Sequence, residues 1–294
     1  MSVEMDIQKM YDRGREKLAL AGVREADLDA WYLLEHVTGV DRAGFYLHPE
    51  RKLTKEETLR YEELTEKRSR RIPLQHLTGE QEFMGLTFQV NEHVLIPRQD
   101  TEILVETGLS FLNEGKVPSD KKSGKRRILD MCTGSGCILL SLLSLAKDRE
   151  NMEGIGADIS GEAIETAKKN AEALSVEAAF SQGDLFEAVS GRFGMILSNP
   201  PYIRTEELKT LEPEVKDHDP VLALDGKEDG LFFYRKIVGL AGNYLEKGGR
   251  LLFEIGCDQG ADVSVLMKEK GYRDVTVKKD LAGLDRVVLG VYDR

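Results

Sequence analysis

The chain has 294 residues, 41% of them apolar and 32% charged, a composition typical of a globular protein with about two domains. Its formal net charge of −11 argues against a general nucleic-acid-coating protein, because such proteins normally carry a strong basic excess. Apolar stretches fall far short of the roughly 18 residues of a membrane span, and the first residues lack the apolar core of a secretion signal. Three sparse cysteines without zinc-ligand spacing suit a reducing compartment. We therefore expect a cytoplasmic protein with no metal site.

The first 75 residues predict a small helical bundle. Apolar side chains recur at helical spacing from Ile7 to Leu18, and a second apolar stripe surrounds Trp31. Thr54 followed by Glu57 has the spacing of a capping box, which marks the start of a further helix. The segment carries no arrangement of side chains typical of catalysis. We treat residues 1–75 as an N-terminal helical domain.

Residues 76–98 predict a β-hairpin that links two domains. Apolar residues alternate with polar ones from Phe83 onward and mark two short strands. Met84-Gly85 and Asn91-Glu92 supply possible turn residues, and Pro97 ends the pattern.

Residues 99–294 predict an α/β domain. After a helix and a polar loop, apolar strands alternate with helices, as expected when helices connect parallel strands and cover both faces of a sheet. The expected strands cover residues 127–131, 153–159, 176–182, 193–199, 250–256, 272–280 and 285–293. Only residues 281–284 separate the last two strands, so these form an antiparallel hairpin, since parallel strands need a long crossover.

A glycine-containing turn follows the first of these strands. Asp130 lies at the strand end, and Gly134 and Gly136 precede a helix, where backbone N–H groups can approach a ligand. The dinucleotide fingerprint G-x-G-x-x-G needs a third glycine where Leu139 stands, and the Gly-Lys-Ser/Thr of a P-loop is missing. The turn fits S-adenosylmethionine better, because this cofactor has no phosphate and carries an ammonium and a sulfonium group.

Three acidic residues end three successive strands and so meet at the carboxyl edge of the sheet, where open α/β sheets bind ligands. Asp130 can hold the positive amino-acid head of the cofactor, directly or through water, and Asp158 can accept both ribose hydroxyls. Asp184 and Leu185 are placed to hold the adenine edge and face. Each acid alone also fits a helix cap. Together they favour a cofactor site.

The motif Asn199-Pro200-Pro201-Tyr202 ends the fourth strand at the same edge and suits a planar NH₂ group. The nitrogen of an amide or of adenine is a poor nucleophile because its lone pair is delocalised. The Asn199 side-chain oxygen and the Pro200 carbonyl can accept its two N–H bonds and offset the positive charge that develops during transfer. The prolines fix the backbone, and Tyr202 can stack on the flat group. A strand-ending turn is the simpler alternative for the motif alone.

Several motifs together resemble the HemK/PrmC family of release factor glutamine methyltransferases. They are PLQHLTGEQEFMGLTFQVNEHVLIPRQDTE, ILDMCTGSGCI, SNPPYI, EVKDHDPVLALDGKEDGLFFYRKI, FEIGCDQG and KDLAGLDRVV. The resemblance covers nearly the whole chain. It implies a Rossmann-like, seven-stranded class I methyltransferase domain, and a helical N-terminal domain that helps hold the protein substrate. It also implies S-adenosyl-L-methionine as methyl donor and, as acceptor, the glutamine amide nitrogen in a Gly-Gly-Gln loop of peptide chain release factors.

The resemblance also assigns site residues. By that similarity the glutamine is held by Asn199, Pro200, Pro201 and Tyr202. The cofactor site is lined by Cys132, Thr133, Gly134, Ser135, Gly136, Asp158 and Leu185. Asp130 and Asp184, from the pattern above, complete the expected cofactor site, and Asn199 borders it.

Two positions depart from the family pattern, and one residue has an open role. Many relatives have glycine where Cys132 stands, so we expect a slightly reshaped loop and no lost activity. Some relatives have a larger aromatic residue where Leu185 stands, which can weaken packing on adenine. Arg98 fits either a substrate contact or a surface residue that closes the hairpin.

Two other functions remain as alternatives. An adenine-N6 methyltransferase is the first, because Asn-Pro-Pro-Tyr suits any planar NH₂ group, although the acidic charge and the lack of a basic recognition domain count against DNA. A catalytically silent binding module is the second, although intact Asn199, Gly134, Gly136 and Asp158 argue against it. We expect release factors as partners, no direct contact with DNA or membrane, and a monomer.

Overall fold

A computed structural model describes residues 5–293 of the chain, which divide into two compact units. The helical unit contains the chain up to Gly79 together with Glu212–His218. The sheet unit contains Glu80–Leu211 and Asp219–Arg294. The sequence pattern predicts a boundary at residue 75 and a separate linking hairpin. In the structure, the hairpin belongs to the sheet unit, and the later segment Glu212–His218 belongs to the helical unit.

Five helices of the helical unit lie between Ile7 and Thr78, and side chains cap the starts of three of them. The helices are α1 (Ile7–Leu20), α2 (Ala26–Thr38), α3 (Arg42–Leu47), α4 (Lys55–Ser69) and α5 (Leu74–Thr78). The Thr54 hydroxyl accepts from the N–H of Glu57, and the Glu57 carboxylate accepts from the N–H of Thr54. The predicted capping box is thus confirmed at the start of α4. Asp6 and Asp41 cap α1 and α3 in the same way.

The apolar stripes of these helices form one core around Trp31. Ile7, Met10, Trp31 and Tyr61 are buried there. The Tyr61 hydroxyl donates to the carbonyl of Ala30 at 3.2 Å, which satisfies its polar end inside the core. The tryptophan is the single one in the sequence, so its fluorescence reports on this unit.

The segment Glu212–His218 joins the helical unit through its carboxylates. Glu214, in the short helix Pro213–Lys216, accepts from Arg68 Nη2 at 2.9 Å and from Arg71 Nη2 at 2.6 Å. Arg68 also donates to Asp29 at 2.6 Å and is 8% exposed. Because its charge is buried, the helical unit needs both carboxylates, those of Glu214 and Asp29, to compensate it. Burial opposes ionisation of Glu214, but the hydrogen bonds from Arg71 and Arg68 outweigh it and lower its pKa to about 2.

The sheet unit begins with a separate two-stranded hairpin. Strands β1 (Glu80–Phe83) and β2 (Leu86–Gln89) pair antiparallel, and both turn residues, Met84 and Gly85, have positive φ. Such a turn matches the twist of hairpin strands. The hairpin is therefore confirmed, but its second strand ends at Gln89, whereas the apolar pattern continues to Ile96. Val94 and Ile96 are buried, yet residues 90–96 form no strand.

Seven strands form the main sheet. They are β3 (Arg126–Met131), β4 (Met152–Asp158), β5 (Ala179–Gln182), β6 (Phe193–Ser198), β7 (Leu245–Glu254), β8 (Arg273–Lys279) and β9 (Asp285–Tyr292). Their order across the sheet is β5-β4-β3-β6-β7-β9-β8. Strands β3 to β7 pair parallel, and β9 runs antiparallel between β7 and β8. This confirms the predicted parallel sheet with an antiparallel C-terminal hairpin.

Helices cover both faces of this sheet. They are α6 (Glu102–Asn113), α7 (Cys137–Leu145), α8 (Gly161–Ala173), α9 (Phe232–Ala241) and α10 (Gly260–Glu269). Ile128 and Met195 belong to an apolar cluster with α6 and α7, whereas Leu129 and Ile196 belong to one with α9 and α10, because successive strand residues point to opposite faces. The sequence pattern did not assign α10. In the part of the chain that is described, no helix is long and apolar enough to cross a membrane.

The carboxylate of Glu214 gives the first testable prediction. Above its ordinary pKa of 4.5, the ionised group stabilises the helical unit, and this stabilisation is lost as the pH falls towards 2. Glu214→Gln should lower the free energy of unfolding of this unit by about 2 kcal/mol at pH 7. Urea titration followed by Trp31 fluorescence measures it, and the difference from wild type should shrink below pH 4.5.

Glu212 provides the matched control. Its carboxylate contacts Arg24 but is half exposed, so Glu212→Gln should cost under about 1 kcal/mol. Equal effects of the two substitutions would contradict the role given to Glu214.

Candidate active site

The turn between β3 and α7 is shaped by three residues with left-handed backbone. Cys132, Gly134 and Gly136 have φ values of 62°, 54° and 79°. Glycine adopts this region at little cost, whereas a residue with a β-carbon is strained there. A β-carbon at Gly136 would also lie 3.2 Å from the Ala167 side chain. The turn therefore needs glycine at 136 for conformation and for close packing.

Asp158, at the end of β4, holds this turn in place. Its Oδ2 accepts from the N–H of Gly134 at 2.9 Å, and its Oδ1 accepts from the N–H of Ser160 at 3.0 Å. Burial raises the pKa of this carboxyl, although the hydrogen bonds from Ser160 and Gly134 act in the opposite direction. Each carboxylate oxygen keeps a further lone pair for a ligand hydroxyl.

Asp130 lies beneath the turn and is fully buried. The Thr133 hydroxyl donates to its Oδ2 at 2.6 Å, while its Oδ1 has no hydrogen-bond partner among the described residues. Burial raises the pKa of Asp130 to about 7, with the negative charge of Asp158 adding to the effect. The side chain does not line the cavity described below, and its predicted hold on a cofactor head, directly or through water, stays a prediction.

Asp184 and Leu185 follow β5 at the same edge. Leu185 has a φ of 51° and is buried, although leucine rarely adopts left-handed backbone. The Asp184 carboxylate is partly exposed and lies 3.7 Å from the ammonium of Lys236. Both residues line the cavity, as the sequence pattern requires for an adenine site.

These segments surround one cavity of about 220 Å³ at the carboxyl edge of the sheet. From the predicted set, the cavity is lined by Cys132, Thr133, Gly134, Ser135, Asp158, Asp184, Leu185, Asn199 and Pro201. Asp130, Gly136, Pro200 and Tyr202 are not part of the lining. The sequence pattern missed lining residues that lie far away in the chain, among them His93, Thr101, Leu222 and Phe233.

The Asn-Pro-Pro-Tyr motif is anchored on both sides of Asn199. The Ser198 hydroxyl donates to the carbonyl of Met131 at 2.7 Å, which ties the end of β6 to β3. Asn199 Nδ2 lies 3.5 Å from Thr101 Oγ1 and donates to it. The Tyr202 carbonyl accepts from Gln259 Nε2 at 3.0 Å. The motif is thus fixed before any substrate arrives, as preorganised stabilisation of a reacting group requires.

Tyr202 and Arg98 have partners inside the protein. The Tyr202 hydroxyl donates to Glu254 Oε1 at 3.3 Å, and burial raises the pKa of this phenol. Its predicted stacking on the substrate stays a prediction. Arg98 is exposed, lines the cavity and donates to the fully buried carboxylate of Asp219 at 2.6 Å; a substrate contact by Arg98 stays a prediction.

The charges around the cavity suit a cationic cofactor. The pKa values of Asp130 and Asp158 are shifted by burial and by hydrogen-bond donors, and that of Asp130 also by the carboxylate of Asp158. No cationic side chain among the described residues contributes to either shift. A positive ligand would therefore compensate carboxylates that the protein leaves uncompensated. The unpaired Asp130 Oδ1 beneath the turn points to the same deficit of positive charge.

The sheet order, the left-handed glycine turn and the carboxylates at the strand ends define a class I methyltransferase that uses S-adenosylmethionine. Residues 9–79 match the PrmC N-terminal domain, and residues 116–227 match the methyltransferase small domain. A release factor glutamine methyltransferase of Agrobacterium fabrum is 42% identical over 93% of this chain and 93% of its own length. The chain belongs to the release factor glutamine methyltransferase family.

Two further comparisons concern the family and the fold, respectively. A release factor glutamine methyltransferase of Geobacter sulfurreducens is 40% identical over 97% of this chain and 96% of its own length. A methyltransferase from Pyrococcus furiosus superposes with a TM-score of 0.50 at 17% identity, covering 71% of this chain and 90% of that one. The latter similarity concerns the fold alone.

Cys132 gives a prediction about the turn. Because its φ is 62°, a β-carbon at this position strains the backbone. Cys132→Gly and Cys132→Ala both remove the thiol and differ only in that carbon. We expect the Cys132→Gly variant to be more stable than the Cys132→Ala variant by about 1 kcal/mol.

Calorimetric unfolding of the two variants measures this difference, and S-adenosylmethionine titration checks that both still bind the cofactor. A Cys132→Ala variant at least as stable as Cys132→Gly would show that the backbone is not strained here.

Proposed function

We propose that this chain methylates the side-chain amide nitrogen of the glutamine in the Gly-Gly-Gln loop of peptide chain release factors. The main observation in support of this proposal is that Asn199 lines the same cavity as the turn at residues 132–135 and Asp158. This arrangement supports an amide acceptor beside a cofactor that is bound at the strand ends. When bound, S-adenosylmethionine supplies an electrophilic methyl group on a sulfonium.

The side chains of this protein bind and orient the acceptor. The Asn199 oxygen accepts one N–H bond of the glutamine amide, and the Pro200 carbonyl accepts the other. Both acceptors favour the positive charge that develops on nitrogen as the N–C bond forms and the methyl–sulfur bond breaks. The methylated amide then loses one N–H proton to solvent, and the product that leaves the cofactor site is S-adenosyl-L-homocysteine. Pro201 and Tyr202 complete the glutamine site by holding the motif rigid. Asp158 accepts the cofactor's ribose hydroxyls, and Asp184 and Leu185 contact its adenine.

Asp130 supports the cofactor site from below. Through Thr133 it fixes the turn at residues 132–136, and its charge attracts the cofactor's ammonium at a distance. The helical unit, residues 1–75 in the sequence prediction, helps hold the release factor. We further propose a cytoplasmic monomer that binds neither DNA nor membrane directly, in keeping with the net charge of −11.

The first test mixes the purified chain, labelled S-adenosylmethionine and bacterial release factors, and maps the methyl group by mass spectrometry. We expect label on the glutamine of Gly-Gly-Gln and none on a release factor with alanine at that position. Label on adenine of an oligonucleotide, with none on the release factor, would favour the adenine-N6 alternative instead.

The second test removes the Asn199 amide. Asn199→Ala should lower kcat by roughly 10²-fold or more, because one preorganised acceptor is lost. Calorimetric titration with S-adenosylmethionine should still show binding, since the turn at 132–136 is intact. Near-normal turnover of Asn199→Ala would contradict the acceptor role.

A further inference from the structure

A buried glutamine connects three loops at the carboxyl edge of the sheet. Gln259 stands directly before α10 and is 2% exposed, and its side chain does not cap that helix. The side chain instead hydrogen-bonds to main-chain groups in the loops after β6, before α9 and after β7. The proposed chemistry does not yet use this residue.

The amide of Gln259 is satisfied at both ends. Its Nε2 donates to the carbonyl of Tyr202 at 3.0 Å and to the carbonyl of Gly230 at 3.3 Å. Its Oε1 accepts from the N–H of Gly256 at 3.0 Å. Because only the NH₂ group can donate and only the oxygen can accept, these partners fix which end of the amide faces which loop. A buried polar group with all its hydrogen bonds made holds its neighbours in one arrangement.

The main chain of Tyr202 is also packed closely against the loop before α9. A β-carbon at Gly226 would lie 2.7 Å from Tyr202 Cα, and one at Gly230 would lie 2.4 Å from the Tyr202 oxygen. At the next residue, the Ile203 N–H donates to the carbonyl of Leu224 at 3.0 Å. The Tyr202 carbonyl therefore has little room to turn away from the glutamine amide.

The prolines make the motif stiff, but they do not decide where it points. Proline fixes its own φ and holds the preceding residue in extended backbone, so Asn199-Pro200-Pro201 keeps one shape. The direction of a stiff segment is set by the anchors at its two ends. Ser198 supplies the first anchor through its hydrogen bond to Met131, and Gln259 supplies the second.

We propose that Gln259 is a positioning residue that aims the Asn199 oxygen and the Pro200 carbonyl at the substrate glutamine by holding the Tyr202 end of the motif. This inference rests on the proposed function. Gln259 does not line the cavity, so it acts through the motif and not by contact with the reacting atoms. Misplacement of a reacting group by about 1 Å can cost roughly 10²-fold in rate, so the loss of one anchor should be measurable.

Asn170 offers a matched control on the cofactor side. It lies in α8, is fully buried, and also donates twice and accepts once. Its Nδ2 donates to the carbonyls of Ser135 at 2.9 Å and Gln89 at 3.0 Å, and its Oδ1 accepts from the N–H of Gln89 at 2.7 Å. Ser135 belongs to the turn that follows β3 and lines the cavity. Loss of the Asn170 amide should therefore disturb cofactor binding more than the motif.

The test compares Gln259→Ala with Asn170→Ala, each of which removes a buried amide and its three hydrogen bonds. At saturating cofactor and release factor, Gln259→Ala should lose roughly tenfold or more in kcat, because the two acceptors are no longer aimed. Its Kd for S-adenosylmethionine, from calorimetric titration, should stay within about threefold of the wild-type value. Asn170→Ala should show the reverse pattern, with a Kd raised roughly tenfold and a kcat lowered by less than about threefold.

This crossed pattern separates positioning from a general structural effect, which would change both quantities alike. A folded Gln259→Ala variant with near-normal kcat would overturn the inference. So would a Gln259→Ala variant whose Kd for S-adenosylmethionine rises as much as that of Asn170→Ala.

Thermal unfolding identifies a variant that is not folded at the assay temperature. In that case Gln259→Met carries the comparison, because methionine keeps the length of the side chain and lacks the amide. Failure of both variants to fold would mark Gln259 as a residue needed for folding alone and would also overturn the inference. Absence of glutamine methylation by the wild type would instead overturn the proposed function, and the inference with it.

Discussion

The hydrogen bond from the Gly134 N–H to Asp158 is the contact on which the cofactor side of the site depends. It joins the ends of two neighbouring parallel strands, β3 and β4, through a turn that only left-handed residues can make. The bond fixes the turn against the sheet, and α7 begins directly after it. Because Asp158 is largely buried, this contact also places negative charge where the sheet opens to the cavity.

The acceptor side of the site also depends on contacts between the ends of neighbouring parallel strands. Parallel strands end at one edge, so β6 delivers Asn199 beside the turn that follows β3. Ser198 locks this edge from inside, and the two prolines that follow remove backbone freedom without leaving buried N–H groups unsatisfied. Chemistry at this edge therefore requires little rearrangement of the backbone.

Much of the sheet and part of the site could be predicted from the sequence, because their signals are local. Apolar runs ending in Asp158, Asp184 and Asn199 identify strands and their polar carboxyl ends within a few residues. The glycine turn is equally local. Helix α10 escaped prediction because Gln259 at its start provides no side-chain cap and Gly260 follows directly.

Other features depend on contacts between distant parts of the chain and leave no local pattern. Asn199 and Thr101 are 98 positions apart in sequence, and nothing near either residue indicates that their side chains meet. Asp130 shows a different limit. Its place at a strand end predicts a contact with the cofactor head, directly or through water, but gives no sign that the carboxylate is fully buried and accepts from the Thr133 hydroxyl. Leu185 likewise gives no sequence signal of its left-handed backbone.

The return of Glu212–His218 to the helical unit means that three chain crossings join the two units, after Gly79, after Leu211 and after His218. Cutting the gene at residue 79 would therefore not produce a complete helical domain, because Glu214 would stay on the other fragment and leave Arg68 and Arg71 without that carboxylate. An excised sheet unit would in turn carry the segment Glu212–His218, which begins ten residues after Tyr202, without its partners in the helical unit. The helical unit of this chain is therefore encoded in two separate stretches, and its transfer to another protein requires both segments.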